Sequence, residues 1–567
     1  MLKKIITRLI LILGLVFVLV IASCKTDADT ETKAEPEPPV EVEELNTGLR
    51  KHEFRAVWIA TAFHVDMQRQ PSEDVFRHTF NTMLNTCELY NMNAVIFQVS
   101  PMLDSFWPSQ HRPWSNYLYS TRQGNGPLWN PLAIMVEETH KRGMEFHAWL
   151  NPYRVLSDVN IQGDNTQASK AFVLNALREN RTLAESNFAV KNPGLVFRHN
   201  NIIYLDPGFP EVITHIVDTV KEIIENYDVD AIHFDDYFYP SGTPGDTSLA
   251  LDQTSFSQHG AGFGTTGAGR EAWRRRNNDN LIESVLKAIR DENEANGKTI
   301  QFGISPAGTW SSNQSIGGSN TGAGVNQTYS GGTYADTRKW VLDEMVDYMA
   351  PQIYWEQTHT TANYNILSTW WAGVHENKNV HLYIGHANYK YMQNHAQIPW
   401  QQPEEILNQL IYNQDYPNIR GSIFYSYKDS NRFTGTAMPG AATLIEANKL
   451  ILEFWNHPVI VPPLPWLGDT VPSAPVNVVR NGNTITWNDT EENNSRYYVV
   501  YRITKETDGS NNPALVIQDP GKIIARVWRN GTQTVFTDKT TASPSYYTYI
   551  VTALSGSHIE SEPAVAN

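Results

Sequence analysis

The stretch VDAIHFDDYFYP, residues 229–240, decides the fold. Side chains on a strand alternate between faces. Ile232 and Phe234 therefore share one face, and His233 and Asp235 share the other. An apolar row opposite an ionisable row suits a barrel wall, with helices against the apolar side and the lumen against the polar side. A carboxylate at the C-terminal end of such a strand lies where barrel enzymes carry their chemistry.

Working outward, eight apolar or alternating segments recur with helical stretches between them: 54–61, 93–99, 144–150, 231–235, 300–305, 348–354, 380–386 and 421–427. Strand–helix alternation repeated eight times predicts an α/β fold, a (β/α)8 TIM barrel over residues 50–457. Helix-to-strand links are short (Arg142-Gly143; Asn377-Lys378-Asn379). Strand-to-helix links are long: 151–209, 237–269 and 306–333. The long links should build the cleft at the C-terminal mouth. Residues 458–470 are Pro-rich and read as a linker. Residues 471–567 read as a small all-β sandwich that resembles a fibronectin type III domain through Pro472, Trp487, Tyr501 and Tyr549. The expected job of that domain is spacing, or docking to protein or wall.

Residues 1–23 carry Lys3, Lys4 and Arg8, then an apolar run over 9–21, then Ile21-Ala22-Ser23-Cys24. That order predicts a secretory leader, and the ending resembles a lipobox, which implies lipidation of Cys24 and membrane attachment through the lipid. Lys25 lacks the inner-membrane retention aspartate of some lipoproteins, so the expected location is the outer membrane, facing the periplasm or the surface. Residues 24–49 are acidic and read as a solvated tether. Removing three of the 44 basic residues with the leader leaves 41 against 60 acidic ones, a balance of −19. Such a charge disfavours nucleic acid as a partner. Beyond Cys24 only Cys87 remains, so no disulfide and no cysteine metal site is expected.

The alternation rule gathers polar residues at the barrel mouth. Gln98 ends the lumen row of the second strand, His147, Trp149 and Asn151 fall on that of the third, Asp235 ends the fourth, Tyr354 and Glu356 fall on the lumen row of the sixth, and His386 ends the seventh. Two carboxylates, several neutral hydrogen-bonders and aromatics suit a neutral polyhydroxylated substrate. Acetal hydrolysis needs one acid to protonate the leaving oxygen and another group to stabilise or trap the sugar cation. Strands four and six are close enough around a barrel to set Asp235 and Glu356 on opposite sides of a sugar, and Asp236, of opposite parity, reads as a support for its neighbours or for substrate hydroxyls. Asp206 reads equally as a third acid or a helix cap. Arg154 reads as a clamp for a carboxylate such as a lactyl group, or as a structural cation. No metal-ligand spacing and no nucleophile elbow is present, and no cofactor is expected.

The segments Phe54-Arg55-Ala56-Val57-Trp58-Ile59, His147-Ala148-Trp149-Leu150-Asn151-Pro152-Tyr153-Arg154, Asp206-Pro207-Gly208, 230–240, Phe302-Gly303-Ile304-Ser305-Pro306 and 347–356 resemble the glycosyl-hydrolase-like 10 lipoproteins. The resemblance spans about residues 50–455. It implies a glycosidase acting on amino-sugar glycans, with peptide-free peptidoglycan strands the expected substrate, because the family includes a division-associated lipoprotein of that activity. In related barrel clans a nucleophilic Asp follows strand four and an acid follows strand six, which matches Asp235 and Glu356. Two rivals stand beside it: a non-catalytic glycan-binding lipoprotein, and a surface glycosidase for exogenous polysaccharide.

Overall fold

The computed structural model describes residues 50–157, 177, 183–240, 251–322, 327–330, 333–468, 470–490, 495–505, 512–541 and 543–566. The leader, Cys24 and the acidic tether lie outside the described residues.

Eight parallel strands close a barrel: β1 (Phe54–Ile59), β2 (Ala94–Ser100), β3 (Glu145–Leu150), β7 (Ala231–Phe234), β8 (Gln301–Ile304), β9 (Tyr348–Met349), β10 (His381–His386) and β11 (Ile419–Tyr425), the last pairing back onto β1. Alternation decides what each strand shows to either side. Phe54, Ala56, Trp58, Ala94, Ile96, Trp149, Ala231, Tyr348, Tyr383 and Ile423 form the lumen cluster. Val57, Phe97, Phe146, Ile232, Phe234 and Phe302 pack outward against the helices. The helix Pro210–Asn226 shows how the outer ring is held. Pro stands in its first turn, where the missing N–H costs nothing, and Val212, Ile216, Val220, Ile223 and Ile224 line one buried stripe. Each such side chain contributes about 1.5–3 kcal/mol of burial.

Two features were not expected from sequence. The link after β3 carries a small antiparallel sheet of β4 (Arg154–Leu156), β5 (Val196–His199) and β6 (Ile202–Leu205). Its β5–β6 turn runs through Asn200 at φ 52, a conformation asparagine tolerates. The second is the seating of the C-terminal domain. Its two antiparallel sheets hold β12 (Val476–Asn481), β13 (Thr484–Asn488) and β16 (Gln533–Thr537) in one, and β14 (Ser495–Thr504), β15 (Ile523–Trp528), β17 (Tyr547–Ser555) and β18 (Ala564–Val565) in the other.

This domain packs on the N-terminal end of the barrel, and the Pro-rich stretch is a strap bound on both sides. Ile460 exchanges backbone hydrogen bonds with Lys51 and Glu53, Leu464 N donates to Ser557 O, and Trp466 Nε1 donates to Asp347 at 2.8 Å. Arg496 bridges to Asp230 (2.8 Å) and Asp228 (2.9 Å) beneath β7. A run rich in proline looks like a free linker because it has no regular repeat; Val459, Ile460, Val461 and Leu464 are nonetheless all buried.

Candidate active site

The strand β7 ends at Phe234, and the chain turns at once: Tyr237 N donates to Asp235 Oδ1 (3.2 Å) and Phe238 N to Asp236 O (3.1 Å). Past the strand end the alternation rule lapses, so Asp235 and Asp236 both line the cleft at the barrel mouth. The rest of the lining includes Trp58, Phe63, Gln98, Trp149, Arg154, Tyr237, Ser305, Gln352, Tyr354, Tyr389 and Tyr425. A second arm continues past Asp236, Gln352, Tyr354 and Tyr389 to Trp355, His359 and Lys390.

Asp235 is only 1% exposed. Trp149 Nε1 donates to its Oδ2 at 2.9 Å, and Asn151 Nδ2 reaches both oxygens at 3.2 and 3.3 Å. Burial, and then the neighbouring charge of Asp236, push its carboxyl up to about 7. Burial also raises Asp236, against which Gln352 donates a hydrogen bond. Like charges on successive residues cannot both ionise cheaply, so the two titrations are coupled and Asp235 keeps its proton up to about 7. Arg154 is fixed by two hydrogen bonds to Pro101 O (2.9 and 3.1 Å), and its guanidinium lies 4.3 Å from the Tyr237 ring centre. Its backbone sits on β4, held by Asn151 Oδ1 accepting from Arg154 N at 2.9 Å. Gln98 spends its side-chain oxygen on the N–H groups of Thr61 and Ala62 (3.0 and 2.9 Å), which orders the loop that carries Phe63.

Four residues expected at the mouth lie elsewhere. Glu356 is not part of the cleft lining: its Oε2 accepts from Trp400 Nε1 at 3.3 Å, and Lys390 is its nearby cation. The strand β9 stops at Met349, just before Pro351, so alternation carries through the bridged Gln352 but no longer governs Glu356. His386 faces the helices. It bonds Gln409 (2.9 Å) and Ser422 (3.1 Å) and stacks near Tyr364. Tyr383 faces the lumen, so parity puts residue 386 on the opposite side, against the helices and away from the expected lumen row. Asp206 accepts from Ser255 Oγ (2.7 Å) and Gly208 N (3.0 Å), and burial, then Asp252, push it up to about 7. It neither lines the cleft nor caps the helix Pro210–Asn226, whose cap residue is Phe209. His147 is in the lumen, fully buried below the mouth.

Sequence reasoning passed over several cleft aromatics. Trp58 and Tyr425 were within reach, because each ends a lumen row by parity. Phe63 sits on the short 3-10 turn Ala62–His64, and Tyr237 and Tyr389 on loops, where no periodicity marks them. Phe63 holds φ 54, is 48% exposed, and presents its ring at the rim.

The glycosyl hydrolase-like 10 family model matches residues 53–402. The glycosyl hydrolase YngK of Bacillus subtilis (strain 168) is 35% identical over 521 residues, covering 90% of this chain and 92% of its own. The glycosyl hydrolase DigH of Escherichia coli (strain K12) is 33% identical over 386 residues, covering 65% of this chain and 82% of its own. Among solved structures, the PgaB glycoside hydrolase domain from Bordetella bronchiseptica aligns at 9% identity with a TM-score of 0.41, covering 70% of this chain and 98% of that domain.

Proposed function

Since the chain belongs to the glycosyl hydrolase-like 10 family and is a glycosidase, we propose that it cleaves amino-sugar glycans, with peptide-free peptidoglycan strands as substrate, from a lipid anchor at Cys24 in the outer membrane. The carrying observation is the Asp235–Asp236 pair in an aromatic-lined cleft with Arg154 on its wall. Aromatic faces stack on the apolar faces of sugar rings. A guanidinium suits the free lactyl carboxylate that a muramic sugar exposes once its peptide is gone. The C-terminal sheets are read as a fibronectin type III-like domain.

The shared proton of the pair goes to the leaving oxygen, and the remaining negative charge steadies the sugar cation. Adjacent residues stand on one side of a sugar, so they do not flank the bond as a nucleophile and an acid do. An amino sugar carries its own internal nucleophile. Its acetamido oxygen attacks C1 as the bond from C1 to the leaving oxygen breaks; water then adds to C1, breaks the new bond to the acetamido oxygen and returns a proton to the pair. The test is turnover of purified peptide-free strands, beside a polysaccharide panel and N-deacetylated strands. Equal cleavage of deacetylated strands would overturn the internal-nucleophile reading, and preference for another polysaccharide would overturn the substrate.

A further inference from the structure

A line of hydrogen bonds runs through the barrel lumen from the C-terminal domain to the floor of the cleft. His558, in the turn after β17, places Nε2 2.7 Å from Glu145 Oε1, where Gln301 Nε2 also donates at 3.0 Å. Glu145 Oε2 lies 3.0 Å from His147 Nε2. His147 Nδ1 is 2.8 Å from the Tyr348 hydroxyl, which is 2.9 Å from His233 Nδ1. His233 Nε2 meets Ser305 Oγ at 2.8 Å and Trp58 Nε1 at 3.2 Å. Trp58 and Ser305 both line the cleft, and Gln352 links Ser305 O (2.8 Å) to Asp236.

The chemistry of the two ends fixes the direction of the line. An indole N–H only donates, so His233 Nε2 accepts and its proton is on Nδ1. That proton goes to the Tyr348 oxygen, the Tyr348 proton goes to His147 Nδ1, and the His147 Nε2 proton goes to Glu145. Glu145 accepts at both oxygens; His558 and His147 hold it ionised, down to about 2, against the upward push of burial. Burial keeps His233 well below its ordinary range, hence neutral. The members from His558 to Trp58 and Ser305 are buried, each proton between His233 and Glu145 has an acceptor, and the Trp58 and Ser305 protons share the one lone pair of His233 Nε2. Tyr348 reaches its place because residue 303 is glycine: a Cβ there would stand 1.9 Å from the Tyr348 ring. A buried polar line with one satisfied proton order is rigid, since reversing one link leaves an unsatisfied group.

We propose that the C-terminal domain is a positioning component of the active site: His558 fixes Glu145, and through the lumen line sets the placement of Trp58, Ser305 and Gln352 beneath the Asp235–Asp236 pair. This rests on the reading of the cleft as the active site.

The test uses the full chain and peptide-free strands as substrate. His558→Ala should lower kcat about tenfold with KM little changed, and His558→Gln, whose amide nitrogen reaches the same place, should restore kcat to within about twofold. Tyr348→Phe, which cuts the line at its middle, should match His558→Ala. Arg496→Ala loosens the same interface without touching the line, and should lower thermal stability but leave kcat intact at a temperature where it is folded. In protein labelled with [15N]histidine, His233 should show Nδ1 protonated and Nε2 bare, and His558→Ala should shift both resonances. Wild-type kcat in folded His558→Ala and Tyr348→Phe, parallel kcat losses in His558→Ala and Arg496→Ala, or unmoved His233 resonances would overturn the proposal. Activity surviving in Asp235→Asn would instead overturn the cleft as the active site, and the resonances would still test the line.

Discussion

The two ends of the barrel treat the same side chains in opposite ways. At the N-terminal end, Asp230 meets Arg496 and His140 (both 2.8 Å), Asp347 meets Arg290 (2.6 Å), and Glu145 meets His558. Burial pushes Asp230 up, but Arg496 and His140 hold it well below the carboxylate range. At the mouth, Asp235 and Asp236 are set beside each other, and Arg154 only partly offsets their charge, so both are raised. One end has acids that are compensated and carry structure. The other has acids left uncompensated, with a proton to give. Perturbed carboxylates in a cleft mark chemistry, and the contrast within one barrel shows that burial alone does not make them: the partners decide.

The sharpest break of that contrast is Asp235→Asn and Asp236→Asn, each expected to cost about 10²–10⁴-fold in kcat, with the fold intact by circular dichroism. At the other end, Arg496→Ala should cost about 3 kcal/mol of stability, read by denaturant unfolding, while turnover at low temperature stays intact. The pH dependence sharpens the comparison next. Burial and Asp236 raise the Asp235 carboxyl to about 7 in the folded chain against an ordinary 3.8, so stability falls as pH rises from about 4 to 7, where the unfolded chain ionises and the folded one keeps its proton. The acid form is lost above about 7, and kcat/KM should fall roughly tenfold per unit beyond it; a flat profile from 6 to 9 would remove Asp235 as the proton source. Phe63→Ala should raise KM roughly fivefold, a loss of about 1 kcal/mol of stacking, with kcat preserved. The smallest effect is expected of Glu356→Gln, within roughly twofold of wild type. Abolished turnover in that variant would restore Glu356 as the second catalytic acid.

Much of this was legible beforehand, for a physical reason. A strand's period of two is local, so Ile232 and Phe234 against His233 and Asp235 could be sorted without knowing their neighbours. The same rule placed Gln98 and Trp149. It misled at Glu356, because the last bridge of that row is at Gln352, and at His386, which stands at odd spacing from the lumen residue Tyr383. The sheet around β5 and β6 was hidden in a long link, although Asn200-Asn201 between two alternating runs was a readable hairpin signal.

By itself, then, the sequence determined the eight staves, their faces, and the arrival of adjacent acids at the end of the fourth, because those follow from local periodicity and strand punctuation. Only the tertiary structure decided that Asp236 enters the cleft beside Asp235, that Glu356 does not, and that a C-terminal histidine reaches the barrel lumen. Those depend on where each strand stops and which distant charge stands beside each acid, and separation along the chain carries no record of either.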